Sequence, residues 1–499
     1  MSDYVRATSA KGESIEFEGV HFSSGVMKDV HWDRAGRDVV AFFRDPLDGA
    51  GLERIRAIVD VHRARILEGP GGGDLAALYR WPRDTVEYQG KLGLVIPRFD
   101  PAFFFAHGSA NNDMLSIKGK EKQGKWFASA RHRSTYLDPR ERGEWIDYLR
   151  ICIRIARAVR RLHAAGLAHS DLSYKNVLVD PLSGSACIID IDGLVVPGKF
   201  PPDVVGTPEF IAPEVVMTQD LPLGDDNKNL PSIQTDRHAL AVLIYMYLLS
   251  RHPLDGRKIH DPDDAARDNA LQMGERALWV EHPQDDSNRI DLRHVNKAAL
   301  PWADTQKLPY TLCGPRLAAL FEQAFIDGLH EPAKRPTAEE WERALILTAD
   351  MLIPCNIAGC NAGMYVFDNS RRPHCPLCQQ PYDHVAPILN LYSSRGSGDF
   401  RPDNHRVTVF DGLSLYPWHA NRFVFPSERL TGNERQRMAY VRWHDGAWHL
   451  VNERLPDMLE LPDKKPIAPG QGVVLSEGKQ ILLSREDGGR LISVQVANG

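Results

Sequence analysis

Asp171, Asn176 and Asp190 are the residues whose types and spacing point most directly to chemistry. The first two lie in His169-Ser170-Asp171-Leu172-Ser173-Tyr174-Lys175-Asn176, and the third follows the apolar run Cys187-Ile188-Ile189. Phosphoryl transfer leaves a protein little covalent work. It needs a carboxylate to orient the attacking hydroxyl, oxygen ligands for magnesium and a cation on the phosphates. Asp171 fits the first role, and Asn176 and Asp190 fit the second. Asp192 is the alternative ligand, ranked behind Asp190 because Asp190 closes the strand. A second set is Cys355, Cys360, Cys375 and Cys378, two pairs separated by 14 residues. Thiolates at this spacing can converge tetrahedrally on zinc, and four of them leave no open position, so the metal is expected to be structural. His374 is adjacent and could substitute. In so short a segment the metal would supply much of the folding energy.

The first set resembles the protein kinases. Asp171 stands where the base of His-Arg-Asp stands. Asn176, five residues on, matches the magnesium-binding Asn. Asp190 matches the Asp of Asp-Phe-Gly, although Asp190-Ile191-Asp192 lacks the Gly. Gly206-Thr207-Pro208-Glu209-Phe210-Ile211-Ala212-Pro213-Glu214 resembles the end of a Ser/Thr kinase activation segment. In that family the Glu of Ala-Pro-Glu pairs with a buried Arg, which the resemblance assigns to Glu214 and Arg335. Asp236 resembles the kinase Asp that holds the catalytic-loop backbone. One such motif is weak, but five in the right order are specific.

The usual strand lysine is missing. Where kinases carry Val-Ala-Ile-Lys, this chain has Val40-Ala41-Phe42-Phe43-Arg44. Strand side chains alternate faces, so if Ala41 lies over the adenine, Phe43 takes the lysine position and Arg44 points away. Ser23-Ser24-Gly25-Val26-Met27-Lys28-Asp29-Val30 aligns with the Gly-rich loop, with Gly25 as the middle Gly and Val30 covering the adenine. Lys28 then replaces the third Gly, the position from which WNK kinases supply their phosphate-binding lysine. Lys28 is favoured over Arg44. Glu53 and Asp60 are both candidates for its acidic partner.

Ser170 replaces the Arg that binds an activation-loop phosphate in many kinases, and residues 193–206 contain no Ser, Thr or Tyr. The core is therefore expected not to need phosphorylation of that loop. Thr207 resembles Ser/Thr kinases. Lys175, four residues after Asp171, resembles the catalytic-loop basic residue of Tyr kinases, and Ser173 fills the Ser/Thr-kinase Lys position. The Thr207 context weighs more. It also argues against a small-molecule kinase.

The elements that must position these residues follow from pattern. Ile15-Glu16-Phe17 alternates, and 38–44 is a continuous apolar run, so both read as strands. Leu52, Ile55, Ile58, Val59 and Ile66 recur at helical spacing until a Gly-rich stop at 69–73. A strand follows at 93–97, then a basic stretch (Lys118, Lys120, Lys122, Lys125, Arg131, Arg133) that reads as a solvated loop or a dock for an acidic partner. A helix is expected from Trp145 to His163. Strands flank the 180–186 turn, and the chain is mostly helical beyond Glu214, with a polar insertion near 256–310. The whole predicts an α+β, two-lobed kinase-like domain over 1–349 (N-lobe about 1–97, C-lobe about 98–349). A zinc ribbon over 350–385 and an all-β sandwich over 386–499 complete it.

With 499 residues, 43% apolar and 25% charged, the composition is that of an ordinary globular protein. The formal charge of -6 opposes bulk attraction to nucleic acid or membrane. No apolar run approaches the roughly 20 residues needed to span a bilayer. There is no signal-peptide pattern, and the clustered cysteines suit a metal better than disulfides, so cytoplasm is the expected compartment. Cys152, Cys187 and Cys313 read as packing residues.

Gly446-Ala447-Trp448-His449-Leu450-Val451-Asn452, Pro469-Gly470 and 475–484 resemble the later strands of a forkhead-associated (FHA) domain, without a clear match to its phosphothreonine-reading Arg and Ser. A protein-interaction role is expected. The order of kinase, four-cysteine ribbon and β domain resembles the kinase of bacterial TerY-P triads. That resemblance implies a von Willebrand A-type protein and a metal-dependent Ser/Thr phosphatase as partners. Two functional readings follow. One is a protein kinase using ATP and Mg2+, with structural Zn2+, acting on protein Ser/Thr. The other is a nucleotide-binding pseudokinase serving as an adaptor.

Overall fold

Val40, Ala41, Phe42 and Phe43 are all buried, as expected of a strand covered on both faces. They belong to β5 (Asp38–Phe43) in the computed structural model, which describes residues 4–24, 27–69, 71–196, 199, 206–222, 224–367, 373–396 and 398–496. Around β5 lie β3 (Ser23–Ser24), β4 (Lys28–Trp32), β6 (Asp84–Tyr88) and β7 (Lys91–Pro97). They form a five-stranded antiparallel sheet in the order β3-β4-β5-β7-β6. The register sets Lys28 opposite Phe43 and Val30 opposite Ala41. Directly opposed residues share a face, so these four side chains lie together. Phe42 points the other way, into a cluster with Ile15 and Phe17. Those two come from the hairpin of β1 (Tyr4–Thr8) and β2 (Ser14–Glu18).

On the Phe43 face, the sheet meets the helical stretch that the 52–66 periodicity predicts. It begins at Gly49, capped by Asp48, and runs through a π-helical segment, Ala57–His62, to Leu67. Ile55 and Val59 join Phe43 and Leu94 in one buried cluster.

This sheet lies in the first of two units, Met1–Gly143, Arg150–Gln306 and Leu320–Glu342. The same unit holds the hairpin of β8 (Val177–Asp180) and β9 (Ser185–Ile188). It also holds the helix Ile233–Leu249, buried almost all round, whose start is fixed by a Ser232–Thr235 capping box. The expected helix from Trp145 runs to Ala164. The polar stretch near 256–310 is turns with one α-helix, Ala265–Met273, and a short 3-10 helix, Lys297–Ala299.

The basic stretch departs from the sequence reading most clearly at Lys122, while Arg133 is half-buried near the Trp302 ring. Lys118, Lys120, Lys125 and Arg131 are exposed, but Lys122 is buried, 2.8 Å from Asp180 and 3.1 Å from Glu141. Its ammonium is enclosed by two carboxylates from distant parts of the chain, so neither solvent nor a docked partner claims it.

The second unit comprises Glu144–Leu149, Lys307–Ala319 and Arg343–Gly499. It contains the short hairpin of β10 (Leu352–Pro354) and β11 (Met364–Val366). The remaining strands are β12 (Pro387–Ser394), β13 (Phe400–Thr408), β14 (Ser414–Leu415), β15 (Ala439–His444), β16 (Ala447–Asn452), β17 (Leu459–Leu461), β18 (Lys465–Pro466), β19 (Gly472–Val474), β20 (Gln480–Leu482) and β21 (Arg490–Val496). They form a six-stranded sheet, β13-β12-β21-β20-β17-β18, and a four-stranded sheet, β14-β15-β16-β19. Leu389, Val407 and Ile492 of the first sheet share one core with Val441, Leu450 and Val473 of the second. Among the described residues no helix is long and apolar enough to cross a membrane.

Removing one member of a buried ion pair typically costs about 3–5 kcal/mol, because the charge left behind is uncompensated. Lys122→Ala is accordingly expected to lower the unfolding midpoint by several degrees, while Lys125→Ala leaves it unchanged. Equal midpoints for the two variants in a thermal melt would contradict the buried role of Lys122.

Candidate active site

A single buried carboxylate organises the loop from His169 to Asn176. Asp236, in the first turn of the helix Ile233–Leu249, accepts hydrogen bonds from the backbone N–H of His169 (2.7 Å) and Ser170 (3.1 Å). His163 Nε2 lies 3.1 Å from the same carboxylate. Ser170 is held at φ 68°, a left-handed conformation that non-glycine residues seldom adopt unless their surroundings impose it. The loop is also tied to the segment leading to Asp190. His169 Nε2 donates to the Ile189 carbonyl at 2.9 Å, and Ile189 N–H donates to the Asn176 carbonyl at 3.0 Å.

Both carboxylate oxygens of Asp171 are engaged. Asn176 Nδ2 donates to Oδ2 and to the Asp171 carbonyl, each at 2.8 Å. Thr207 donates to Oδ1 from its backbone N–H at 2.7 Å and from its hydroxyl at 2.9 Å. Thr207 Oγ1 also lies 3.1 Å from Ser173 Oγ. Asp171, Ser173, Asn176 and Thr207 thus form one cluster, while the Lys175 side chain stands exposed.

A second cluster joins β4 to the turn after β9. Lys28 Nζ lies 2.5 Å from Asp192 Oδ2 and 3.4 Å from Asp190 Oδ1. Burial lowers the pKa of this ammonium, but the Asp192 and Asp190 carboxylates outweigh it and the net shift is upward. Lys28 therefore stays cationic at neutral pH. Its ammonium also sits 5.5 Å from the centre of the Phe43 ring, as the cross-strand register requires. Asp190 is in the left-handed region at φ 61°, with its side chain half exposed, whereas Asp192 is buried. Arg44, the rival cation, instead pairs with Asp29 at 3.0 Å.

The acids considered as partners of Lys28 are engaged elsewhere. Glu53 pairs with Lys199 at 2.8 Å and Asp60 with Lys11 at 3.4 Å. Asp192 takes that place. The sequence reading weighed Asp192 only as a magnesium ligand, yet a carboxylate where kinases carry Gly was the available signal. Val30 and Ala41 lie on the Lys28 face of the sheet. Gly25 and residues 197–198 and 200–205 lie outside the described residues.

Arg335 is buried and grips Glu214 with two hydrogen bonds, of 2.7 and 2.6 Å. Its Nε donates to the Gly328 carbonyl at 2.8 Å. This two-pronged geometry is the strong form of a guanidinium–carboxylate pair.

In the second unit, the sulfurs of Cys355, Cys360, Cys375 and Cys378 all lie within 4.8 Å of one another. Cys355 and Cys378 are 3.5 Å apart, Cys360 and Cys375 3.7 Å. Four zinc–sulfur bonds of about 2.3 Å in a tetrahedron imply sulfur–sulfur edges of about 3.8 Å, so the four thiols fit that ion. All four are free cysteines, as are the buried Cys152, Cys187 and Cys313. His374 is outside the cluster.

Residues 129–341 match the family model described as "Protein kinase domain". The chain is 36% identical over 106 residues, 21% of its length, to the death-associated protein kinase dapk-1 of Caenorhabditis elegans. It is 31% identical over 84 residues, 17% of its length, to a dual serine/threonine and tyrosine protein kinase of Apis mellifera. It spans only 7% and 9% of those two proteins. A crystal structure of a Toxoplasma gondii rhoptry antigen kinase domain aligns with a TM-score of 0.37 and 15% identity, covering 68% of this chain and 85% of that one. The chain contains a protein kinase domain, matched over residues 129–341.

Proposed function

We propose that the chain is an active, magnesium- and ATP-dependent protein kinase that phosphorylates Ser and Thr side chains of protein partners. The observation that carries this reading is the pairing of an Asp171 hydrogen-bonded at both oxygens with a half-buried, cationic Lys28. Asp171 acts as the base that orients the substrate hydroxyl. Asn176 and Thr207 fix the carboxylate so that no reorientation is needed at the moment of reaction. Lys28 is the cation for the phosphates, with Val30 and Ala41 on the same face of the sheet lining the nucleotide site.

Asn176 and Asp190 offer the hard oxygen donors that magnesium prefers, and would hold it. Bound ATP supplies the transferable phosphoryl group, and magnesium neutralises its charge. Lys175, exposed beside the base, is free to reach a substrate or phosphate oxygen. Thr207, bonded to both Asp171 and Ser173, supports a Ser/Thr preference. Ser170, with a hydroxyl-free segment over 193–206, supports a core that works without phosphorylation there. Glu214, Arg335 and Asp236 hold the surrounding backbone.

The proposal extends to the rest of the chain. Residues 1–349 form the kinase domain, 350–385 a zinc ribbon on Cys355, Cys360, Cys375 and Cys378, and 386–499 a β-sandwich that binds proteins. The shared core of the two C-terminal sheets supports the last assignment. The resemblance in domain order adds a von Willebrand A-type protein and a metal-dependent phosphatase as partners, in the cytoplasm.

Elemental analysis of purified protein is expected to find one zinc per chain, with Cys375→Ser losing it and melting earlier. A metal-free wild type whose melt is unaffected by a chelator would contradict the ribbon. Phosphoryl transfer from labelled ATP with magnesium tests the enzyme itself. General-base removal typically costs about 100-fold or more, and Asp171→Asn is expected to show that loss. Lys28→Ala should fall at least about tenfold and Arg44→Ala stay within about twofold, if one charge-assisted contact is lost only in the former. Label should appear on Ser or Thr. No transfer by wild type to itself or a generic protein would favour the adaptor reading, and full activity in Lys28→Ala would overturn the lysine assignment.

A further inference from the structure

A cavity of about 370 Å3 opens in the second unit, and its charges do not balance. Four guanidiniums line it, from Arg343, Arg395, Arg422 and Arg490, against two carboxylates, from Asp350 and Asp403. Asp403 is already committed. It lies 2.8 Å from the buried Arg490 and 3.3 Å from Arg395, and accepts a hydrogen bond from Ser393 at 2.5 Å.

Asp350 is committed as well, to two imidazoles. His405 Nε2 lies 2.7 Å from one of its oxygens and His419 Nε2 3.2 Å from the other. These three residues have the composition of a metal site, but the hydrogen bonding argues against one. His419 Nδ1 accepts the backbone N–H of Tyr416 at 2.9 Å, so a neutral His419 carries its proton on Nε2 and donates it to Asp350. The lone pair a metal would need there is absent, and the guanidiniums nearby would repel a cation.

Two arginines are left. Among the described residues neither Arg343 nor Arg422 has a carboxylate within 4 Å. Each instead rests near an aromatic ring, Arg343 at 5.9 Å from Phe425 and Arg422 at 4.8 Å from Phe423. Burial pushes the pKa of Arg490 down against the opposing pull of Asp403 and Asp350, and the charge of Arg343 adds a smaller push in the same direction. The volume lies at the small end for ligand sites.

We propose that this cavity binds a phosphate monoester dianion, with Arg343 and Arg422 taking its oxygens and the ring of Phe423 beside its organic portion. Two uncompensated guanidiniums match a charge near -2, and guanidinium forks match phosphate oxygens. Arg490, braced by Asp403, forms the fixed wall. The proposal is independent of the catalytic reading, because every residue it uses lies in the second unit.

The test uses the full-length protein and calorimetric titration with inorganic phosphate, acetate, and a phosphoserine peptide with its unphosphorylated form. Wild type is expected to bind phosphate, and the Arg343→Gln/Arg422→Gln double variant to lose at least about tenfold in affinity. Both side chains reach solvent, so the variant should keep the wild-type melting temperature. Lys28→Ala, which alters the other unit, should bind as wild type does, which separates this site from the nucleotide site. A phosphopeptide binding tighter than phosphate would identify the source as a modified protein side chain. Equal binding would identify a free phosphorylated compound. No binding of phosphate at millimolar concentration, undiminished binding in the double variant, or acetate binding as tightly as phosphate would each overturn the proposal.

Discussion

The contact between Lys28 and the carboxylates of Asp190 and Asp192 is the constraint on which the catalytic reading depends. A partly desolvated ammonium is stabilised by compensating charge, and here that charge comes from the turn after β9 rather than from the neighbouring helix. The contact requires Lys28 to share a face with Phe43. The antiparallel register of β4 and β5 provides that, by pairing the two residues directly. A bulky Phe at the usual lysine position and a lysine on the adjacent strand are therefore two halves of one arrangement. The ring fills the space beneath the displaced ammonium.

The loop that carries Asp171 is held in a comparable way, by charge reaching across the chain. Asp236 anchors two consecutive backbone amides and keeps Ser170 left-handed. Asn176 and Thr207, 5 and 36 residues further along the chain, then fix the two oxygens of Asp171. Arg335 anchors Glu214, just beyond Thr207, with a buried fork. Each anchor is a charged group satisfied by backbone or by an opposite charge, so removing one would leave a desolvated partner rather than a mere gap.

Much of this was legible in the sequence, for physical reasons. The offsets linking Asp171, Asn176 and Asp190 are short, and a loop followed by a two-stranded hairpin fixes their relative positions. Glu214 with Arg335, and Asp236 with the His169 loop, were legible only through the family resemblance, because the contacts span 121 and 67 residues. The alternation of faces along 40–44 turns Arg44 away from Phe43, and Arg44 pairs with Asp29. What periodicity could not reveal was which acid meets Lys28, because the choice between Glu53, Asp60 and Asp192 depends on how helix, sheet and turn pack. Lys122 was misread for the same reason. Nothing local distinguishes it from Lys120 or Lys125, and its partners Glu141 and Asp180 arrive from elsewhere. The arginine cavity likewise gathers residues from positions 343 to 490, with no local motif to mark it.

The most direct measurement of the central claim is an experimental structure of the full chain with magnesium and a non-hydrolysable ATP analogue. The account predicts Lys28 Nζ within hydrogen-bond distance of a phosphate oxygen, with Asn176 and Asp190 on the metal and Arg44 still paired with Asp29. A nucleotide whose phosphates meet Arg44, with Lys28 left on Asp192 alone, would contradict it.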